Sequence, residues 1–166
     1  MVWSSQYNSP LGGITLAGDD DALLGLWFDG QRYFGSTLPS QAAVGEPASI
    51  RAAKRWLDCY FSGRQPDFTP PLRWADTPFR QAVWRQLLAI PYGGTVTYGQ
   101  LASRLGAGSA RAVGGAVGRN PISLIVPCHR VVGANGHLTG YAGGIKRKRA
   151  LLALEQSAGE WNKMIK

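Results

Sequence analysis

The spacing of hydrophobic positions changes along the chain, and each change marks an element. Val2 to Tyr7, Gly13 to Ala17 and Ala22 to Phe28 are apolar or alternating, and Ser9-Pro10 and Asp19-Asp20-Asp21 punctuate them. This predicts three short strands. Residues 29–47, rich in Gly, Ser and Pro, predict a loop. From Ala48 to Phe61 the period lengthens. Ile50, Ala53, Leu57, Tyr60 and Phe61 recur at helical spacing, and Gly63 follows as a stop. Gln65 to Thr77 carries Pro66, Pro70 and Pro71 and reads as a linker, with a domain boundary near Trp74 to Asp76.

The pattern beyond the linker is helical. Thr77 is an N-cap and Pro78 suits the first helical position, so Phe79, Val83, Leu87 and Leu88 form an apolar stripe that Pro91-Tyr92-Gly93-Gly94 ends. Thr95-Val96-Thr97 is extended, and Thr97 caps a short helix, Tyr98 to Leu105. After the turn Gly106-Ala107-Gly108, Ser109 caps a second, Ala110 to about Gly118. Two short helices joined by a glycine turn predict a helix-turn-helix. The apolar run Ile122-Ser123-Leu124-Ile125-Val126 predicts a buried strand, and a Gly-rich stretch, Gly133 to Gly144, precedes a last helix from Ile145 to about Ser157. The fold class is therefore α+β, with a first domain over 1–75 and a mainly helical second domain over 76–166.

Charge sharpens this division. The 166 residues carry a net charge of +8. Residues 1–75 hold six Lys/Arg against seven acids, net −1, and residues 76–166 hold twelve against three, net +9. A neutral half joined to a basic half points to a polyanion, with nucleic acid as the first candidate. Met1 to Pro10 has no signal-peptide pattern, and no apolar stretch approaches the roughly 20 residues that span a bilayer. Two cysteines, Cys59 and Cys128, cannot make a four-cysteine zinc site, and no Walker, dinucleotide or metal-ligand spacing is present. A reducing, cytoplasmic setting with free thiols is expected.

Pro127-Cys128-His129-Arg130-Val131 concentrates the candidate chemistry, one of two cysteines beside one of two histidines. Thiolate is the reactive form of cysteine, and a neighbouring base favours it. In an extended strand these neighbours point to opposite faces, so cooperation needs a bend or a bridging water. Glu155, among Leu151 to Leu154, either lies on an exposed helix face or orients the His129 imidazole. Gly114 and Gly115 sit mid-helix beside Arg111 and Ala112, each glycine costing about 1 kcal/mol relative to alanine. Close packing on another helix and close approach to a nucleic-acid groove are equal readings of this small-residue face. Tyr98 and Asn120 are further polar candidates, the latter able to pin the turn into the Cys128 segment. His137 is expected at the surface and Cys59 in the core.

Residues Thr77 to Gln156 resemble the O6-alkylguanine-DNA alkyltransferases. The matching motifs are Ile90-Pro91-Tyr92-Gly93, Thr97-Tyr98-Gly99-Gln100-Leu101-Ala102, Ala110-Arg111-Ala112-Val113-Gly114, Asn120-Pro121, Pro127-Cys128-His129-Arg130-Val131, Gly140-Tyr141-Ala142-Gly143-Gly144 and Leu151-Leu152-Ala153-Leu154-Glu155. The first 75 residues match loosely, chiefly in Trp56 to Phe61. The resemblance implies a small α/β scaffold followed by a winged-helix-like DNA-binding domain. It implies irreversible, single-turnover transfer of an alkyl group from O6-alkylguanine, with O4-alkylthymine a further candidate, to Cys128. His129 would deprotonate Cys128 through a water, Glu155 would orient His129, and Asn120 would brace the turn. Arg111 would enter the duplex. Tyr98, Ala112, Gly114, Gly115, Arg119, Arg130, Tyr141 and Ala142 would meet DNA or the flipped base. Ala142 stands where many relatives have serine. The implied partner is double-stranded DNA, with no cofactor and no membrane. The protein would be a monomer able to cluster on DNA, nucleoid-associated in a bacterial cytoplasm. A lesion-binding protein without transfer chemistry and a cysteine hydrolase are the alternatives.

Overall fold

The computed structural model describes residues 1–156; the expected end of the last helix at Ser157 lies outside them. The three predicted strands form β1 (Trp3–Ser9), β2 (Gly12–Gly18) and β3 (Leu23–Phe28), paired antiparallel. The loop expected over 29–47 contains one further strand, β4 (Ala43–Val44), which pairs parallel with Trp3 and Ser4 and completes the order β3-β2-β1-β4. Two residues are too few to show alternation in a sequence. Helix α1 (Ala48–Phe61) covers this sheet with Ile50, Ala53, Leu57 and Tyr60, all buried.

In the second half, α2 (Pro78–Leu88) begins at Thr77, whose hydroxyl accepts from the Arg80 amide. Its inward face is Val83, Trp84 and Leu87, whereas Phe79 and Leu88, expected on the stripe, are 40% and 39% exposed. β5 (Val96–Thr97) leads into α3 (Tyr98–Arg104) through a capping box of Thr97 and Gln100. Gly106, at φ +63°, makes the left-handed turn between α3 and α4 (Ala110–Gly118), whose cap Ser109 accepts from the amides of Arg111 and Ala112. The Trp84 indole N–H donates to the Ala116 carbonyl at 2.9 Å and fixes α4 on α2.

The run Ile122–Val126 is buried but is not a strand. Leu124 lies at φ +72°, and the segment is a turn held from inside by Asn120. The Asn120 amide donates to the carbonyls of Ile122 (3.2 Å) and Val126 (2.9 Å), and its oxygen accepts from the Ile122 amide (3.0 Å). Local side-chain bonding of this kind competes with a sheet ladder. The turn docks on β3: the Leu26 amide donates to Pro121 and the Ser123 amide to Leu26. The chain then enters a 3₁₀ turn, Cys128–Arg130, followed by β6 (Val131–Val132), which pairs parallel with β5. Helix α5 (Ile145–Gln156) is enclosed, with Lys148 and Ala150 to Glu155 all buried. One continuous apolar core runs from Ile14 in β2 to Leu154 in α5 and joins the two halves. Among the described residues no helix is long and apolar enough to cross a membrane, and no group of three His, Cys, Asp or Glu is placed to hold a metal ion.

Asn120 satisfies three buried backbone groups at once, and each would be left without its partner on truncation. Asn120→Ala should therefore destabilise the protein by about 3 kcal/mol in denaturant unfolding, against about 1 kcal/mol for removing the exposed cap in Thr97→Ala. Equal losses would show that the Asn120 bonds do not hold the turn.

Candidate active site

The Asn120 turn and the 3₁₀ turn together resolve the geometry of the Cys-His pair. A strand would send the two side chains to opposite faces, whereas here the backbone turns at Pro127 and both are buried. Cys128, 4% exposed, forms part of the wall of a cavity of about 370 Å³. Tyr98 from the start of α3, Gly114 and Gly115 from α4, and Gly140, Tyr141 and Ala142 from the Gly-rich loop line it as well.

Behind the cysteine lies a charge cluster. The Glu155 carboxylate is buried on α5. Its Oε2 lies 2.5 Å from His129 Nε2 and accepts from the Tyr60 hydroxyl at 2.6 Å. Its Oε1 accepts from Arg130 Nε at 2.7 Å and from the Gly93 amide at 3.2 Å. Burial alone would raise the Glu155 carboxyl, but His129 and Arg130 outweigh it and bring the pKa down to about 2. An ionised carboxylate only accepts, so Nε2 of His129 carries the proton. Nδ1 is then the ring's acceptor, and among the described residues it has no hydrogen-bond partner. Burial holds His129 below its usual pKa despite the Glu155 charge, which keeps the ring neutral and able to take a proton. Burial also pushes the Cys128 thiol up, opposed by the Asn120 amide and the Lys148 charge. The resting sulfur is thus a protonated thiol that requires a base. Burial and the nearby cysteine raise the Tyr98 hydroxyl too, so it remains a donor.

The expected residues fall into three groups. Cys128, Tyr98, Gly114, Gly115, Tyr141 and Ala142 meet at the cavity, while His129, Glu155 and Asn120 support it from behind. Arg111 and Ala112 lie exposed on the first turn of α4, and Arg119 at its end stacks 3.7 Å from the Tyr33 ring centroid at the cavity rim. Arg130 stands apart: expected to meet DNA or substrate, it points inward, binding Glu155 and donating to the Ile90 carbonyl at 2.8 Å. A buried carboxylate needs this cation more than a surface does. His137 is exposed as expected, whereas Cys59 is only half-buried, its thiol 3.9 Å from the Arg64 carbonyl. The cavity-facing side of α4 also resolves the two readings of its glycines. Among the described residues a Cβ on Gly115 would meet nothing within 4 Å, and one on Gly114 would touch the Tyr98 ring of α3 at 3.7 Å, an ordinary van der Waals contact, so tight helix packing does not require either glycine.

Several participants were not singled out from the sequence. Arg32 and Tyr33 line the cavity from the loop after β3, and the Arg32 amide donates to the Ala142 carbonyl. Tyr60 reaches Glu155 across 95 positions. Lys148 is buried near the cavity, its ammonium donating to the carbonyls of Thr139 and Gly140 and burial lowering its pKa to about 8. Its signal was present, because Lys148, Leu151, Leu152 and Glu155 share one helical face.

The chain is similar to known proteins along most of its length. Residues 2–74 match the 6-O-methylguanine DNA methyltransferase ribonuclease-like domain, and residues 78–157 match the DNA binding domain of the same proteins. A methylated-DNA–protein-cysteine methyltransferase of Mycobacterium tuberculosis is 48% identical over 159 residues, 95% of this chain and 94% of its own. Another, from Methanosarcina acetivorans, is 46% identical over 91% of this chain and 96% of its own. The crystal structure of Mycobacterium tuberculosis OGT in complex with DNA superposes with a TM-score of 0.87 at 44% identity, covering 98% of each chain. The chain belongs to the 6-O-methylguanine DNA methyltransferase family.

Proposed function

We propose that this protein repairs DNA as a methylated-DNA–protein-cysteine methyltransferase, moving the alkyl group of an O6-alkylguanine onto its own Cys128 once per molecule. The observation that carries this reading is a buried thiol in a cavity wall, with a neutral histidine behind it whose free ring nitrogen is an acceptor. The target oxygen is inside the duplex, so the nucleotide must leave the stack at a cost of a few kcal/mol. The open glycine face of α4 allows close approach of a minor groove, and exposed Arg111 fills the step vacated by the base. Phosphate contacts from the basic half supply affinity that falls with salt. In division of labour, residues 76–166 carry DNA docking and the nucleophile, and residues 1–75 brace them.

The chemistry balances without a cofactor. His129 takes the Cys128 proton through a bridging water, and Glu155 holds the imidazolium in place. The sulfur attacks the alkyl carbon, the carbon–O6 bond breaks, and its electron pair stays on the purine. Tyr98, kept protonated by burial, donates to the leaving base. Tyr98 passes a proton to the purine, which stays in the strand as guanine, and takes one back from solvent, while His129 gives the Cys128 proton to solvent. A thioether has no hydrolysable bond, so Cys128 is consumed. Ala142, in the cavity wall, brings no hydroxyl to the lesion, so the range of alkylated bases taken differs from that of relatives with serine there, and O4-alkylthymine is a further expected substrate.

Incubation with a duplex carrying labelled O6-methylguanine should put one label on each protein, at Cys128, and none on Cys128→Ala with DNA binding retained. Release of label with turnover would mark a hydrolase, and binding without labelling a lesion-binding module. Arg111→Ala should slow transfer from duplex by roughly tenfold, a loss of about 1.4 kcal/mol, and leave the reaction with free O6-alkylguanine base unchanged. Equal losses on both substrates would refute the finger role. Because the base must be neutral, the single-turnover rate should hold at pH 7 and fall only once the pH drops below 6.5, the ordinary histidine value from which His129 is lowered. A rate falling already above that pH would place the titrating group elsewhere.

A further inference from the structure

Glu155 draws its four hydrogen-bond donors from three parts of the chain. The Gly93 amide belongs to the turn after α2, and His129 and Arg130 to the 3₁₀ turn. Tyr60 alone among the four comes from the first half, on the last turn of α1. Its ring is fully buried and fixed on three sides. It stacks on Trp56 at 5.1 Å and meets Tyr92 and His129 edge-on at 6.3 and 6.5 Å. Burial and the Glu155 charge keep its hydroxyl protonated, so it donates. The oxygen it binds, Oε2, is the one that holds His129.

We infer that Tyr60 is a positioning residue for the transfer, its hydroxyl fixing the Glu155 oxygen that orients and tunes His129. This rests on the transfer chemistry proposed above. A carboxylate oxygen shared between two donors gives less charge to each. Tyr60 therefore limits how strongly Glu155 stabilises the imidazolium and helps keep His129 neutral. The other groups facing this cluster are Arg130 from the 3₁₀ turn, Lys148 from α5, Tyr141 from the Gly-rich loop and Tyr92 beside Gly93, with Cys59 of α1 next to Tyr92 and Cys128 meeting the His129 backbone. Arg130 and Gly93 bind the opposite oxygen and do not replace the hydroxyl on Oε2. The scaffold half thereby takes part in the reaction beyond burying apolar surface.

The test is Tyr60→Phe, which keeps the ring and removes the donor. More of the Glu155 charge then falls on His129, so the imidazolium is stabilised and its pKa rises by about one unit, the scale of one buried hydrogen bond to a charge. Nitrogen NMR of the unreacted protein should read that rise directly. The acid limb of the single-turnover rate should move to higher pH by the same amount, with DNA affinity unchanged. Trp56→Phe, which disturbs the same packing without touching Glu155, should leave the limb in place. Should the phenylalanine variant not fold, 3-fluorotyrosine placed at position 60 is a stronger donor and should move both readings the opposite way. An unshifted His129 ionisation in whichever protein folds overturns the inference. A shifted ionisation in a protein that never acquires label at Cys128 overturns the transfer reading and leaves the Tyr60–His129 coupling standing.

Discussion

A carboxylate withdrawn from water is the constraint around which this protein is arranged. Glu155 is 7% exposed, and a lone charge in that position would cost several kcal/mol or take up a proton. Four donors prevent both outcomes, and one of them, Arg130, cancels the charge. That cancellation matters for the histidine. A net negative cluster would pull a proton onto His129 and remove the base, whereas the near-neutral Arg130–Glu155 pair fixes the tautomer and leaves burial free to keep the ring uncharged. The pair therefore serves chemistry and fold together. Deleting the carboxylate would leave a buried guanidinium uncompensated, so an alanine at this position reports stability as much as catalysis.

The same arrangement explains why the two halves share one core. The turn that leads into Cys128 hangs on β3 through Leu26, Glu155 is reached from α1, and the cavity rim includes Arg32 and Tyr33 from the loop after β3. At the other side of the site, the Arg147 guanidinium lies 4.6 Å from the Phe28 ring centroid and donates to the Leu11 carbonyl. Each of these contacts pairs a residue of the second half with a residue of the first sheet, its helix or one of its loops. A reactive thiol needs its base within a narrow range of positions, and elements anchored on both sides have little freedom to drift.

Most of the fold was legible because its signals are local. The bounds of α1 and α4, the caps Thr77, Thr97 and Ser109, and the three antiparallel strands follow from periodicity and from side chains that bond within four residues. Ile122 to Val126 failed for a local reason too. Its composition suits a buried strand, but Asn120 supplies the hydrogen bonds that a neighbouring strand would have given. Phe79 and Leu88 failed because the stripe on α2 is narrower than its apolar content and Trp84 takes the inward place. At the site, Cys128, His129 and Glu155 were visible as rare residue types in an otherwise ordinary stretch. Tyr60 was visible only as one more apolar position, since nothing local says that a buried hydroxyl will meet an acid 95 residues later.

Charge, too, reads differently once the residues are placed. The excess of the second half suggested a polyanion, yet not all of that charge faces outward. Arg130 neutralises Glu155, Lys148 is enclosed by loop carbonyls beside the cavity, and Arg147 is partly covered over Phe28. These three serve the site and the fold, and removing them from the count lowers the charge available to a duplex. What remains is better placed than a sum conveys. Arg111 and Arg119 mark the two ends of α4, and between them Gly115 and Gly118 face open space among the described residues. Glycines that each cost a helix about 1 kcal/mol and lie open in this way agree with the DNA docking proposed above. Cations at its ends and bare backbone between them suit a narrow, negatively charged groove, and the cavity with Cys128 opens beside that same face.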